Sequence, residues 1–315
     1  LSVLTGLWAP THGVDVRGKS LRAGTATLAS LLRRAGYAAP DILYLSSLPN
    51  FRNLGLTASY TDRDRYLPDG DQVLFRALEA YQDSTFFLYY HYRNVHLPFN
   101  PSPPYDRMFT PDNYDRSGLI SDKVAVIKRD VTIPVGSVLF GPEDKGWITG
   151  LYDGQIREMD DTFFGPLVAT LKRLGLYDTT LVIVTADHGE ELLDHGFVGH
   201  PSTSFKGSAY DELLRIPLIM VCPSLLPASR RVAAQVQNVD IVPTVLDLLN
   251  LAQEPTTQGR SLLPLIMGEA SDERPAFTET TPGGYQATPE MMKTRIRAMR
   301  TSDWKLIHTS GPGVD

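Results

Sequence analysis

The sequence predicts an α/β fold with a mostly parallel central sheet flanked by helices, and the start of a small antiparallel sheet at the C-terminal end. Three observations predict it. Residues 86–90 (FFLYY) and 180–185 (TLVIVT) are short apolar runs without polar alternation, as strands covered on both faces are. Apolar residues at spacings of three and four mark helices between such runs. Near the end, the extended runs 295–299 and 304–308 flank Thr301, Ser302 and Asp303, the pattern of a hairpin. The 315 residues, 42% hydrophobic, suffice for one large domain with a smaller sheet appended, divided here as 1–270 and 271–315.

In chain order, Leu28, Leu31, Leu32 and Ala35 place a helix at 25–35, closed by Gly36, and a strand follows at 42–45. Residues 50–70 dissolve into Arg, Asp, Asn, Gly and Pro and read as a loop, before a helix at 73–81. After the strand at 86–90, the prolines of 98–111 require an extended or turning segment, expected on the surface. Residues 112–150 are of mixed charge, with one short element at 124–127. Ile156, Met159, Phe163, Leu167, Leu171 and Leu174 trace one long amphipathic helix ending at Gly175 and kinked by Pro166. The strand at 180–185 runs straight into Ala186, Asp187, His188, Gly189 and Glu190. A strand at 216–222 precedes a helix that begins near Asp240, tolerates Pro243 in its first turn and buries Val245, Leu248 and Leu249.

The formal net charge of -6, without a basic block, argues against a nucleic-acid partner, so an anionic ligand must be drawn in by a local site. The longest purely apolar stretch, 218–222, is far short of the roughly 18 to 20 residues of a membrane-spanning helix. The single cysteine, Cys222, excludes an intrachain disulfide and reads as a buried structural thiol. Neither oligomeric state nor cellular destination is legible in this composition.

Ligand sites in open α/β sheets gather beyond the carboxyl ends of strands, which directs attention to Asp187 and His188, with His195 and His200 downstream. A carboxylate and an imidazole adjacent at a strand end can reach one divalent cation, completed by oxygen ligands from elsewhere. The competing reading makes Asp187 a helix cap and His188 a surface residue. A zinc peptidase helix is excluded, because Gly189, Gly196 and Gly199 would weaken any helix carrying His188 to His200. No Gly-x-Ser-x-Gly elbow is present for a serine triad. His91, Asn94 and His96 follow the strand at 86–90 and form a second candidate group, although an isolated histidine is more often structural. His12, before Gly13, reads as structural, and Lys206 and Arg215 are candidate anion contacts that as lone cations are usually solvated.

Taken in order, these segments resemble the sulfatase family of the alkaline phosphatase superfamily. LSVLTG (1–6), followed by His12, Gly13 and Val14, resembles the second half of the sulfatase signature. TLASLLRRAGY (27–37), FFLYYHYRNVHLPFNPSPPYDRMF (86–109), YDGQIREMDD (152–161), LYDTTLVIVTADHGEELLDHGFVGH (176–200), YDELLRIPLIM (210–220), VDIVPTVLDLLNL (239–251), GRSLLPLI (259–266) and TSDWKLIH (301–308) keep the family order. The resemblance implies an alkaline phosphatase-like fold and hydrolysis of sulfate esters, with phosphodiester or phosphonate monoester hydrolysis, or a non-catalytic binding domain, as alternatives. It implies that Asp187 and His188 bind the metal, calcium first and manganese, magnesium or zinc otherwise. His96 is implied to contact the substrate's anionic group or assist its leaving group. His200 stands where many relatives have a lysine that contacts sulfate or phosphate oxygens, and Lys206 joins them as a further substrate contact. The implied substrate is a small-molecule, carbohydrate or aryl sulfate ester, and export to the periplasm or the outside is an associated expectation. The family's tandem acidic metal ligands and its formylglycine-type nucleophile have no counterpart in these residues. They are expected ahead of Leu1, so the 315 residues alone are expected to be inactive.

Overall fold

The computed structural model of the chain describes residues 1–15, 19–42, 56, 71–92, 95–112, 140–200, 208–269, 273–283 and 287–313. The expected elements at 42–45 and 124–127 and the loop at 50–70 lie almost wholly outside these residues, as do Asn94 and Lys206.

Two short helices open the chain, α1 (Ser2–Thr5) and α2 (Ala9–His12), and each ends on a left-handed glycine, Gly6 and Gly13. α3 (Leu28–Arg34) falls inside the predicted span. It begins where the Thr27 hydroxyl accepts the Ser30 N–H and Ser30 Oγ accepts the Thr27 N–H, a reciprocal cap. α4 (Gln72–Ala80) buries Val73, Leu74, Ala77 and Leu78 on one face.

The proline-rich segment departs from expectation. It carries a single helical turn, α5 (Tyr105–Met108), and Leu97, Phe99 and Pro101 are buried. The reason lies in α6 (Lys145–Met159), where Gly150 and Gly154 share one face and admit the segment's backbone. A Cβ at Gly150 would stand 2.5 Å from the Phe109 carbonyl oxygen, and one at Gly154 2.4 Å from that of Tyr105. Gln155 Nε2 donates to the Pro98 carbonyl at 3.2 Å.

The long helix is longer than predicted and not uniform. α6 passes through a π-turn at Asp160–Phe164, where the Gly165 N–H reaches back to the Asp160 carbonyl, into α7 (Gly165–Arg173). Pro166 offers no N–H to the preceding turn, and the widened turn absorbs that loss.

β1 (Val182–Thr185) is followed by a small hairpin, β2 (Glu191–Leu192) and β3 (Val198–Gly199), then α8 (Asp211–Leu214) and β4 (Leu218–Val221). β1 and β4 pair antiparallel, Val182 opposite Val221 and Thr185 opposite Leu218. Between them the described residues form no crossover helix of the kind that joins parallel neighbours. Parallel pairing among the described residues is a single bridge, Ala38 with Phe86.

The run at 86–90 forms no strand beyond the Phe86 bridge, and both apolar runs are partly rather than fully buried, with side chains packed to two sides. Phe86, Leu88, Tyr90 and Val182 pack against the cluster built from α4, Phe163 and α7. Phe87, Leu181 and Ile183 face the opposite cluster, built from α3 and α9 (Ile241–Leu248). Phe163 meets Phe75, Tyr90, Tyr92 and Phe164 edge-on, tilted or stacked, and its burial is worth about 1.5–3 kcal/mol.

α10 (Leu263–Met267) precedes a three-stranded antiparallel sheet of β5 (Ala276–Thr280), β6 (Arg295–Arg300) and β7 (Lys305–Ser310). The β6–β7 hairpin is the predicted one, and β5 extends it. Among the described residues no helix is long and apolar enough to cross a membrane.

Candidate active site

β1 ends at Thr185, and the chain leaves its pleat to deliver Asp187 and His188 beyond the strand's carboxyl end. The loop is held from two sides. The Gly189 N–H donates to the Leu213 carbonyl of α8 at 2.9 Å, in a fit so close that a Cβ would lie 2.0 Å from the Glu212 carbonyl oxygen. Asn238 Nδ2 donates to the Ala186 carbonyl at 3.4 Å. No helix follows Asp187, which disposes of the capping role; its Oδ1 accepts the His188 N–H at 3.2 Å.

In the hairpin, Glu191 opposes Gly199, so Glu190 and His200 meet one step beyond the ladder and on the same face. Both are buried, and His200 Nδ1 lies 3.0 and 3.2 Å from the two Glu190 carboxylate oxygens. Alternation sends the neighbouring Glu191 the other way. There it meets His195 Nδ1 at 3.2 Å, with Glu212 at 3.7 Å from the same nitrogen and the Tyr210 ring stacked on the imidazole. Burial raises the Glu191 carboxyl above its ordinary range, against the pull of His195.

His96 arrives from the far side, carried on the segment that α6 holds. Its ring centroid is 4.7 Å from that of His200 and 6.3 Å from that of His188, and those two are 4.2 Å apart. All three imidazoles turn Nδ1 to a protein oxygen: His96 to the Leu97 carbonyl, His188 to the Gly189 carbonyl and His200 to Glu190. These contacts assign a proton to each Nδ1. Burial lowers His96 below the usual histidine range. Asp187 is held below the carboxylate range: crowding pushes it up, and the charges of His188 and His91 outweigh that push. Burial, then the nearby Asp187, raises the Tyr89 phenol to about 12.

The residues present fit a divalent ion. Asp187 Oδ1 and His188 Nε2 are 3.8 Å apart, within reach of one cation at ordinary bond lengths of about 2.0–2.4 Å, and the Asp187 side chain is 59% exposed and so accessible to one. Two three-residue groups also bring ligand-type atoms within 4.8 Å of one another, His96, Glu190 and His200, and Glu191, His195 and Glu212.

The family profile described as Sulfatase matches residues 2–251. The chain belongs to the sulfatase family. A second profile, N-sulphoglucosamine sulphohydrolase, C-terminal, matches residues 199–311. Curated relatives include the multifunctional alkaline phosphatase superfamily protein PehA of Trinickia caryophylli, 30% identical over 62% of this chain and 40% of that protein. Arylsulfatase K of Mus musculus is 31% identical over 47% of this chain and 26% of that protein. The chain therefore spans less than half the length of these relatives. Among solved structures, the phosphonate monoester hydrolase SpPMH of Silicibacter pomeroyi superposes with a TM-score of 0.72 at 22% identity, covering 99% of this chain and 77% of that one. BT4656 in complex with its substrate D-glucosamine-2-N,6-O-disulfate gives 0.70 at 19% identity, covering 100% and 78%. The sulfatase chain thus has the alkaline phosphatase-like fold.

Of the residues the sequence singled out in this sulfatase-family chain, Asp187, His188, His96 and His200 come together. His195 parts from them and joins Glu191 and Glu212. His12 is buried and structural: its Nδ1 accepts the Val14 N–H at 3.2 Å, and its Nε2 lies 3.4 Å from Ser2 Oγ. Cys222 is buried, with Sγ 3.6 Å from the Asp178 carbonyl. Sequence reasoning gave no role to Glu190 or Glu212. For Glu190 the signal was the turn sequence Asp194-His195-Gly196, which sets a hairpin and brings Glu190 opposite His200.

Proposed function

We propose that this chain carries the substrate- and metal-binding residues of a metal-dependent hydrolase of sulfate esters, acting on carbohydrate or aryl sulfates. The observation that carries the reading is the convergence of Asp187 and His188 with His96 and His200 at the carboxyl end of β1. Asp187 and His188 hold the ion, calcium first, with manganese, magnesium or zinc as the other candidates. A divalent cation there supplies positive charge to the ester's oxygens and to the nucleophile. His200 presents Nε2 to a nonbridging oxygen. His96 steadies or protonates the departing alkoxide through Nε2, and an anionic ester beside it favours the proton that burial alone disfavours. Lys206 is included as a substrate contact.

A mostly parallel central sheet, a catalytic part at 1–270 with a smaller antiparallel part at 271–315, and export belong to the same proposal. The Ala38–Phe86 bridge and the β5–β7 sheet support the first two.

Phosphonate monoester hydrolysis is the second reading, supported by the likeness to the Silicibacter enzyme. Turnover of p-nitrophenyl sulfate and p-nitrophenyl phenylphosphonate by the full-length native protein separates the two. Sulfate turnover that is lost on Asp187→Ala supports the reading. Undiminished turnover in that variant removes the metal assignment, and a kcat/KM far higher on the phosphonate moves the substrate class.

A further inference from the structure

Glu190 is a buried carboxylate that no step above uses. Its side chain is 6% exposed, it stands beside a histidine 7% exposed, and both of its oxygens are within 3.2 Å of one nitrogen of that histidine. A buried carboxylate is retained only where it is well partnered, and its partner here is His200. We propose that Glu190 is a positioning residue that, by holding Nδ1–H, fixes the orientation of the His200 ring beside those of His96 and His188. The inference rests on reading that histidine cluster as the ester-binding site.

Three features make this more than a chance contact. The β2–β3 ladder sets Glu191 against Gly199, so the register delivers the 190–200 pair as cross-strand neighbours without help from a flexible loop. The free imidazole ring can turn about its side-chain bonds, and a carboxylate meeting Nδ1 with both oxygens removes that freedom. The same arrangement occurs at His96 and His188 through backbone carbonyls, Leu97 and Gly189, which a substitution cannot delete. Of the three Nδ1 contacts, that of His200 is made by a side chain, so it can be tested by mutation. The geometry holds whether the ring is neutral or cationic, since Nδ1 carries a proton in both forms.

The test uses the full-length native protein and p-nitrophenyl sulfate, with p-nitrophenyl phenylphosphonate in parallel. Selective 15N labelling of histidine and long-range 15N–1H correlation report which His200 nitrogen is protonated, independently of activity. The wild type is expected to show His200 protonated at Nδ1 with a downfield, hydrogen-bonded proton. In Glu190→Ala that signal should vanish and kcat/KM should fall about 10- to 100-fold, the usual effect of removing a residue that orients a ligand-binding histidine. Glu190→Gln retains an oxygen that can accept the Nδ1–H, and it should lose less than about tenfold. An unprotonated Nδ1 in the wild type overturns the proposal even where Glu190→Ala fails to fold. So does a folded Glu190→Ala within about twofold of wild type while His200→Ala is impaired, a result that leaves the site reading standing. If His200→Ala itself is unimpaired on both esters, the site reading fails instead.

Discussion

Gly189→Ala tests how tightly the Asp187–His188 loop is fixed. The added Cβ would lie 2.0 Å from the Glu212 carbonyl oxygen and 3.0 Å from its carbon, with the Leu213 Cα at 3.3 Å. That is roughly 1.3 Å inside the about 3.3 Å at which carbon and carbonyl oxygen ordinarily meet. The obstacle is backbone of α8, which cannot turn aside as a side chain can. Either the loop or the helix must move by about an ångström, and the 2.9 Å bond from the Gly189 N–H to Leu213 is strained or broken. Overpacking of this kind costs about 1–3 kcal/mol, a fall in Tm of roughly 1.5–5 °C for a chain of 315 residues. Displacing Asp187 and His188 by an ångström should cost about 100-fold in kcat/KM. Thermal unfolding and ester hydrolysis by the folded variant are the assays. A variant with wild-type Tm and turnover within threefold would refute the argument that this close packing sets the loop's position.

Three further outcomes are expected. His12, buried and lowered by that burial to about 4, is uncharged when folded and takes up its proton only on unfolding, so stability falls as pH drops from about 6.5 to 4, by at most about 3 kcal/mol. Urea titrations should show that slope in the wild type and lose it in His12→Gln; an equal slope in both contradicts the assignment. Asp211 has its carboxyl held below the usual range: burial pushes it up, and Lys305 at 2.6 Å with Arg300 at 3.1 Å outweighs that push. A depressed carboxylate stabilises above its unfolded pKa, so Asp211→Asn should cost roughly 1 kcal/mol or less at pH 7, fading as the pH falls through the lowered folded pKa, and a penalty that persists in strong acid argues against the ion pairs as its source. Cys222→Ser should leave ester hydrolysis unchanged while costing about 1–3 kcal/mol of stability for the buried hydroxyl, and loss of turnover at unchanged stability would give the thiol a role in the chemistry.

The parts of this site that were legible in the sequence are those set by local pattern. A polar cluster straight after an apolar strand marked Asp187 and His188, and order along the chain, through the family resemblance, singled out His96 and His200. What escaped depends on pairing between distant residues. The Glu190–His200 contact follows from hairpin register ten residues apart, and a shift of one residue would have paired His200 with a different face. The burial of 97–101 depends on Gly150 and Gly154, some fifty residues away, whose missing side chains leave no apolar signature. Pro166 announced a kink but not its form, because a π-turn upstream is one of several ways to absorb a lost donor. The antiparallel pairing of β1 with β4 was not visible either, since an apolar run shows that a strand is covered but not which way its neighbour runs.

The central claim is that Asp187 and His188 hold a divalent cation at which the ester is cleaved. Metal content by inductively coupled plasma mass spectrometry, measured on the full-length wild type and Asp187→Ala alongside p-nitrophenyl sulfate turnover, tests it most directly. Bound divalent metal is expected in the wild type, and loss of both metal and turnover in a folded Asp187→Ala. An Asp187→Ala protein that keeps its metal and its rate would contradict it.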